Sequence, residues 1–136
     1  MRIMGLDVGE KTIGVAISDP MGWTAQGITV IRRTSLKEDF ASLRKIIEEY
    51  DVKKFVLGLP IRTDGSFGPE TEKMYKFADK LKREFNLPVE YWDERFSTAS
   101  AERILLEGDV SRAKRRNLID KVAATVILQA YLDRKG

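Results

Sequence analysis

The chain contains neither cysteine nor histidine, and these two absences narrow its chemistry more than any residue it contains. Without thiols there is no cysteine nucleophile, no disulfide and no cysteine-ligated zinc or iron–sulfur centre. Without imidazole there is no Ser-His-Asp triad, no histidine general base and no histidine-bound zinc. An enzyme built from this chain works with carboxylates, Lys, Arg, Tyr, Ser, Thr and hard metals such as Mg²⁺ or Mn²⁺, which prefer oxygen ligands. No apolar run approaches the ~20 residues that span a bilayer. The opening Met1-Arg2-Ile3-Met4-Gly5 lacks the basic, apolar and small-residue regions of a secretion signal. The expectation is a cytoplasmic protein with no membrane partner.

What remains suits one domain covering residues 1–136. A hydrophobic fraction of 43% over 136 residues supports one packed core. The net charge of +3 is too small to identify a partner. Its distribution says more, because Arg112-Ala113-Lys114-Arg115-Arg116 concentrates positive charge.

Arg2–Val8 reads as a buried strand, and Ile13–Ser18 as a second that makes a hairpin with it. Asp19-Pro20-Met21-Gly22 is a turn, and Gly27–Arg32 a third strand. Ser35 and Glu38 fit a capping box that opens a helix to about Tyr50. Its apolar stripe is Phe40, Leu43, Ile46 and Ile47. Lys54–Leu59 is a fourth strand. Pro69–Phe85 is a helix with proline near its start and with Met74, Phe77, Ala78, Leu81 and Phe85 inward. Pro88–Trp92 is the fifth strand. A helix is expected from about Thr98 to Glu107, then a basic loop over Gly108–Arg116, then a last helix from Asn117 to about Asp133. Short turns join the first three strands, which implies antiparallel pairing, whereas helical crossovers imply parallel pairing of the later ones. The architecture is α/β, a mixed five-stranded sheet with helices on both faces.

Three acids stand at places where chemistry is possible. Asp7 interrupts an apolar strand near its C-terminal end. A short acid beside Gly9 can cap the turn, or it can ligate a metal where small neighbours admit a phosphate. Asp93-Glu94-Arg95 follows the fifth strand. It can be a solvated acidic pair before a helix, or Glu94 can join Asp7 on a metal while Arg95 meets a phosphate. Asp120 opens an apolar helical stretch, where it can serve the helix dipole or supply a third ligand. Gly58-Leu59-Pro60 with Thr63-Asp64-Gly65-Ser66 can be an ordinary loop. It can also be a polar rim that contacts phosphate through backbone N–H groups and the Thr63 or Ser66 hydroxyls. The Arg112–Arg116 run can be a solvated segment or can bind a phosphate backbone through Arg112, Lys114, Arg115 and Arg116. Trp92 and Phe96 can stack on bases or, as the reading favoured for both, pack into the core.

Together, Gly5-Leu6-Asp7-Val8-Gly9, Gly14-Val15-Ala16, Gly58-Leu59-Pro60, Asp64-Gly65-Ser66, Asp93-Glu94-Arg95-Phe96-Ser97-Thr98 and Asp120 through Ala123-Ala124 to Ile127-Leu128-Gln129 resemble the YqgF/RuvX family. That family is described both as Holliday junction resolvases and as pre-16S rRNA nucleases. The motifs fall in family order over nearly the whole chain. Phe96 stands where the family usually has Leu, and Lys11-Thr12 where it often shows Arg. The resemblance implies an RNase H-like fold related to the RuvC resolvase, and metal-dependent nuclease activity in maturing the 5′ end of 16S rRNA. It also implies catalytic, metal-holding acids at Asp7, Glu94 and Asp120, with Asp93 a further candidate. The partners expected are nucleic acid, either precursor rRNA or branched DNA, and ribosomal precursor particles; the chain itself is expected as a monomer or weak homodimer. Two other readings use the same residues: a non-catalytic nucleic-acid-binding factor for ribosome assembly or transcription, and a phosphate-binding ATPase fragment.

Overall fold

The computed structural model describes residues 1–61, 64–94 and 112–135, with side chains described except over 112–120 and at 135. The strands are β1 (Arg2–Val8), β2 (Thr12–Ser18), β3 (Ala25–Arg32), β4 (Val52–Leu59) and β5 (Val89–Asp93); the helices are α1 (Leu36–Tyr50), α2 (Pro69–Phe85) and α3 (Arg112–Lys135). The five strands form one sheet in the order β3-β2-β1-β4-β5. β1 pairs antiparallel with β2, and β2 antiparallel with β3. β4 joins β1 in parallel, and β5 joins β4 in parallel. The mixed sheet expected from connection lengths is the one observed.

Alternation along the strands divides the interior in two. Met4, Leu6, Ile13, Val15, Ile17, Phe55 and Leu57 point to the face covered by α1 and α2, where they meet Phe40, Leu43, Phe77 and Leu81. Ile3, Ala16 and Val56 point the other way, towards Ala124, Ile127, Leu128, Tyr131 and Leu132 of α3. Because strand side chains alternate with a period of two, Asp7 belongs with Ile3 and Gly5 on the α3 face.

α1 opens as expected at Ser35, whose Oγ accepts a hydrogen bond from the Glu38 N–H at 3.2 Å. The reciprocal half of the box is redirected. The Glu38 carboxylate accepts from the Thr34 hydroxyl at 2.6 Å. α1 ends on Asp51 and α2 on Asn86, both in the left-handed conformation that closes helices.

α3 differs from expectation at its start. Arg112–Arg116 belongs to the helix rather than to a loop. Ala, Lys and Arg are strong helix formers, and this propensity outweighs the absence of an apolar stripe there. The helix expected near Thr98–Glu107 lies outside the described residues.

α3 runs close against its sheet face because small residues lie under it. A Cβ at Gly5 would come within 2.7 Å of Leu128 Cβ and 3.2 Å of the Ala124 carbonyl. A Cβ at Gly27 would meet Thr125 Oγ1 at 2.8 Å. Gln129 fastens the helix to the β2–β3 hairpin, accepting from the Ala25 N–H at 2.8 Å and donating to the Trp23 carbonyl at 3.0 Å. Further along, the Tyr131 hydroxyl donates to Glu90, whose carboxylate also meets Lys54 Nζ at 3.1 Å. With Ala124 over Gly5 and Tyr131 beside Glu90, α3 runs antiparallel to β1, and its N-terminal end lies towards the C-terminal ends of β1, β4 and β5.

No helix among the described residues is long and apolar enough to cross a membrane.

Candidate active site at the strand ends

β1, β4 and β5 are parallel, so their C-terminal ends share one edge of the sheet, the usual position of sites in open α/β sheets. Asp7 is the penultimate residue of β1, held in register opposite Gly14. Asp93 ends β5 beside Leu59, and Glu94 follows it. Distant in sequence, Asp7 and Glu94 meet: their carboxyl groups are hydrogen-bonded to each other.

Two carboxylates cannot share a hydrogen bond while both are ionised, so the pair holds a proton. Burial is the main cause that pushes the Glu94 carboxyl up to about 9. The hydrogen bond to Asp7 and the negative charges of Asp7 and Asp93 add to it. The titration belongs to the pair rather than to one residue. Asp93 therefore acts on the site at least through its charge.

The space for Glu94 is created by Gly58. A Cβ there would come within 2.7 Å of Glu94 Oε1 and within 2.7 Å of Ile127 Cδ1. Gly58 lies inside β4, paired with Trp92, and is buried. Gly58 thus belongs to the strand read over Lys54–Leu59 and not to the loop rim that was its alternative, and a side chain there would push aside the ends of Glu94 and Ile127. Only Pro60 onward leaves the strand. Trp92 packs against the α3-side core, as the packing alternative requires.

Asp120 is placed on α3 one helical turn before Ala124, about 6 Å along the axis, on the end of the helix that lies towards the strand ends. Its side chain falls outside those described, as do the side chains of Arg112, Lys114, Arg115 and Arg116. Arg95, Phe96 and Thr63 lie outside the described residues altogether. Ser66 is exposed, but both its N–H and its hydroxyl donate to Asp64 Oδ1, at 2.9 and 2.6 Å, a side-chain turn that Asp64 favours.

Among the described residues, no group of three acids stands close enough to hold a metal. The donors that do converge still fit a hard divalent cation. They are oxygen donors only, they are crowded together around a proton that a cation can replace, and a glycine keeps room for them.

Sequence reasoning missed the role of Gly58, and it also missed a row of lysines on α2. Lys73, Lys76 and Lys80 line a groove of about 570 Å³ that Glu94 also lines. Their i, i+3, i+7 spacing on one helix flank was the available signal.

Comparison with known proteins agrees with the fold and with the family resemblance. A protein from Myxococcus xanthus is 59% identical over 133 residues, covering 98% of this chain and 88% of the relative. One from Moorella thermoacetica is 57% identical over 136 residues, covering 100% of this chain and 97% of the relative. Both are named "Putative pre-16S rRNA nuclease". Among solved structures, Thermus thermophilus RuvC in complex with a Holliday junction substrate superposes with a TM-score of 0.59 at 16% identity, over 100% of this chain and 96% of that one. The fowlpox virus Holliday junction resolvase gives 0.59 at 18% identity over the whole of both chains. At these identities the structures show a shared RNase H-like fold, while the family model described as "RuvX: Holliday junction resolvase" matches residues 1–134: the chain belongs to the RuvX family.

Proposed function

We propose that this chain is a metal-dependent nuclease that hydrolyses nucleic-acid phosphodiesters in the 5′-end maturation of precursor 16S rRNA. The observation that carries the reading is the hydrogen-bonded pair Asp7–Glu94 at the strand ends, in a family whose close relatives are named for that activity.

Asp7, Glu94 and Asp120 would hold one or two Mg²⁺ or Mn²⁺ ions. Bound there, such ions lower the pKa of water to generate a nucleophile and stabilise the charge on the leaving oxygen. Asp7 is the rigid member, because β2 and β4 flank its strand on both sides. As a ligand Glu94 would have to give up the proton it shares with Asp7, so metal binding there would be linked to pH. Asp120 adds a third oxygen from α3. Arg95, Arg112, Lys114, Arg115 and Arg116 hold phosphates that flank the scissile bond, with Thr63 contributing a hydroxyl, whereas the Ser66 hydroxyl is committed to Asp64. The partners are nucleic acid and, through the rRNA, precursor ribosomal particles, which places the protein in the cytoplasm.

A four-way DNA junction is the second substrate reading, carried by the family description. Both are tested together by incubating the purified chain with labelled precursor 16S rRNA and with a labelled junction, with and without Mn²⁺. We expect metal-dependent cutting of the rRNA at its 5′ side. Asp7→Asn should reduce cutting to background while the protein stays folded and still binds nucleic acid. Cutting that persists in chelator, or full activity of Asp7→Asn, overturns the assignment. Binding without cutting in any metal leaves the non-catalytic reading in its place.

A further inference from the structure

We propose that the groove between α1 and α2 carries the phosphodiester backbone of the substrate strand away from the Asp7–Glu94 pair. The inference rests on the nuclease reading above and adds a binding surface on the opposite side of the sheet from α3.

α1 and α2 each follow a strand that lies beside β1 or pairs with its neighbour, and both pack on one face of the sheet, side by side. The groove between them opens beside Glu94 and is walled by Arg33 and by Lys73, Lys76 and Lys80 of α2. The charges are sorted along it. The acids Glu10 and Glu70 stand at the site end, next to the β1–β2 turn and in the first turn of α2, whereas the lysines follow further down the helix. Lys80 also lines the adjoining hollow with Lys37 and Arg83, so the basic surface continues between the helices. Arg44 in that hollow is neutralised by Glu84 at 2.7 Å.

The three α2 lysines are exposed, and none of the salt bridges among the described residues uses them. Their amino groups are therefore available to an external anion. Core residues Met74, Phe77 and Leu81 fix the orientation of the helix, which holds the lysines on the flank next to Arg33 and Leu36. Lys73 to Lys80 spans about 10 Å of helix axis. That is room for about three phosphates at the ~3.4 Å axial spacing of one strand. Arg33 is a fixed wall: it donates to the Gly9 carbonyl at 2.6 Å and lies over the Phe77 ring. A polyanion placed here meets cations along its length and reaches the acid pair only where metal would offset their charge.

The test uses Asp7→Asn as a non-cutting background, with Mg²⁺ present, and measures binding of labelled precursor rRNA and of a four-way junction across a salt series. One variant adds Lys73→Gln, Lys76→Gln and Lys80→Gln. A control adds Lys45→Gln, Lys53→Gln and Lys82→Gln, three lysines outside the groove that change the net charge equally. Removing one cation that neutralises a phosphate lowers the slope of log K against log salt by about 0.7 to 0.9. We expect the groove variant to lower that slope by about 2 to 3 and to bind at least about tenfold more weakly at ~0.1 M salt, with the control close to the parent. Equal effects of the two triples, or none from the groove triple while the parent binds, overturn the groove. A parent that binds neither probe overturns the nuclease reading itself.

Discussion

Gly58 lies so close beneath Glu94 that a Cβ on it would reach within 2.7 Å of the carboxylate oxygen. The same Cβ would also meet Ile127 Cδ1 at 2.7 Å, the end of an α3 side chain that can turn aside, so the main effect of this glycine is to seat the acid. Gly5 offers a comparison without the acid, because its Cβ would strike Leu128 and the Ala124 carbonyl. Overpacking of this kind costs about 1–3 kcal/mol. Gly5→Ala, which meets a Cβ and a backbone carbonyl, should lose stability in that range by urea denaturation, and Gly58→Ala, which meets mainly side-chain ends, should lose less. Only Gly58→Ala should also weaken Mn²⁺ binding, measured by calorimetry on the folded protein. Unchanged metal affinity in Gly58→Ala would remove this glycine from the site.

The shared proton has a pH signature. Free of metal, the folded chain keeps a proton on the pair up to about pH 9, whereas an unfolded glutamate releases it near its ordinary value of 4.5. Between those values the native state binds more protons than the unfolded state, so this group makes stability fall as pH rises. In chelator, wild type should be less stable at pH 8 than at pH 5 relative to Glu94→Gln, whose neutral amide does not titrate. Metal reverses the preference. It binds the deprotonated pair, so apparent affinity should rise with pH by up to about tenfold per unit below pH 9. A metal affinity that is flat with pH would mean that no proton is displaced.

The sheet was legible in the sequence because its signals are local. Proline and glycine bounded the strands, and short turns against helical crossovers gave the pairing directions. The capping serine and apolar stripe of α1 and the whole of α2 were legible for the same reason. Strand starts were less so: β4 begins at Val52 rather than Lys54, because Arg2 of β1 offers Val52 a partner, and no local pattern records a neighbouring strand. The start of α3 was hidden because Arg112–Arg116 carries no apolar periodicity. At the site, Asp7 and Glu94 were legible as acids at strand ends. That Gly58 seats Glu94 was not, since its reason lies in Glu94 and in Ile127 of α3, which only tertiary packing brings over it. The α2 lysines were passed over because charged residues on a helix flank ordinarily face water, and only the groove distinguishes them.

A last relationship links α1 to the turn beside Asp7. Asp39 is buried, at 3% exposure, and accepts from the Thr34 N–H at 3.1 Å. Arg33 Nε stands 3.7 Å from its other oxygen, and Arg33 Nη1 donates to the carbonyl of Gly9, two residues beyond Asp7. The Arg33–Asp39 distance is long for an ion pair and Arg33 is partly solvated, so direct attraction contributes little. The larger effect is the buried acceptor. Asp39→Ala strips the Thr34 N–H and the Arg33 guanidinium of a partner at once, which should cost about 1–3 kcal/mol. Asp39→Asn keeps an acceptor and should cost less. If Arg33 steadies the Gly9 turn, Asp39→Ala should also speed amide exchange at Gly9, whose own N–H is bonded to the Thr12 carbonyl at 2.8 Å. Unchanged Gly9 exchange in a measurably destabilised Asp39→Ala would confine the role of Asp39 to the start of α1 and cut the link to the site.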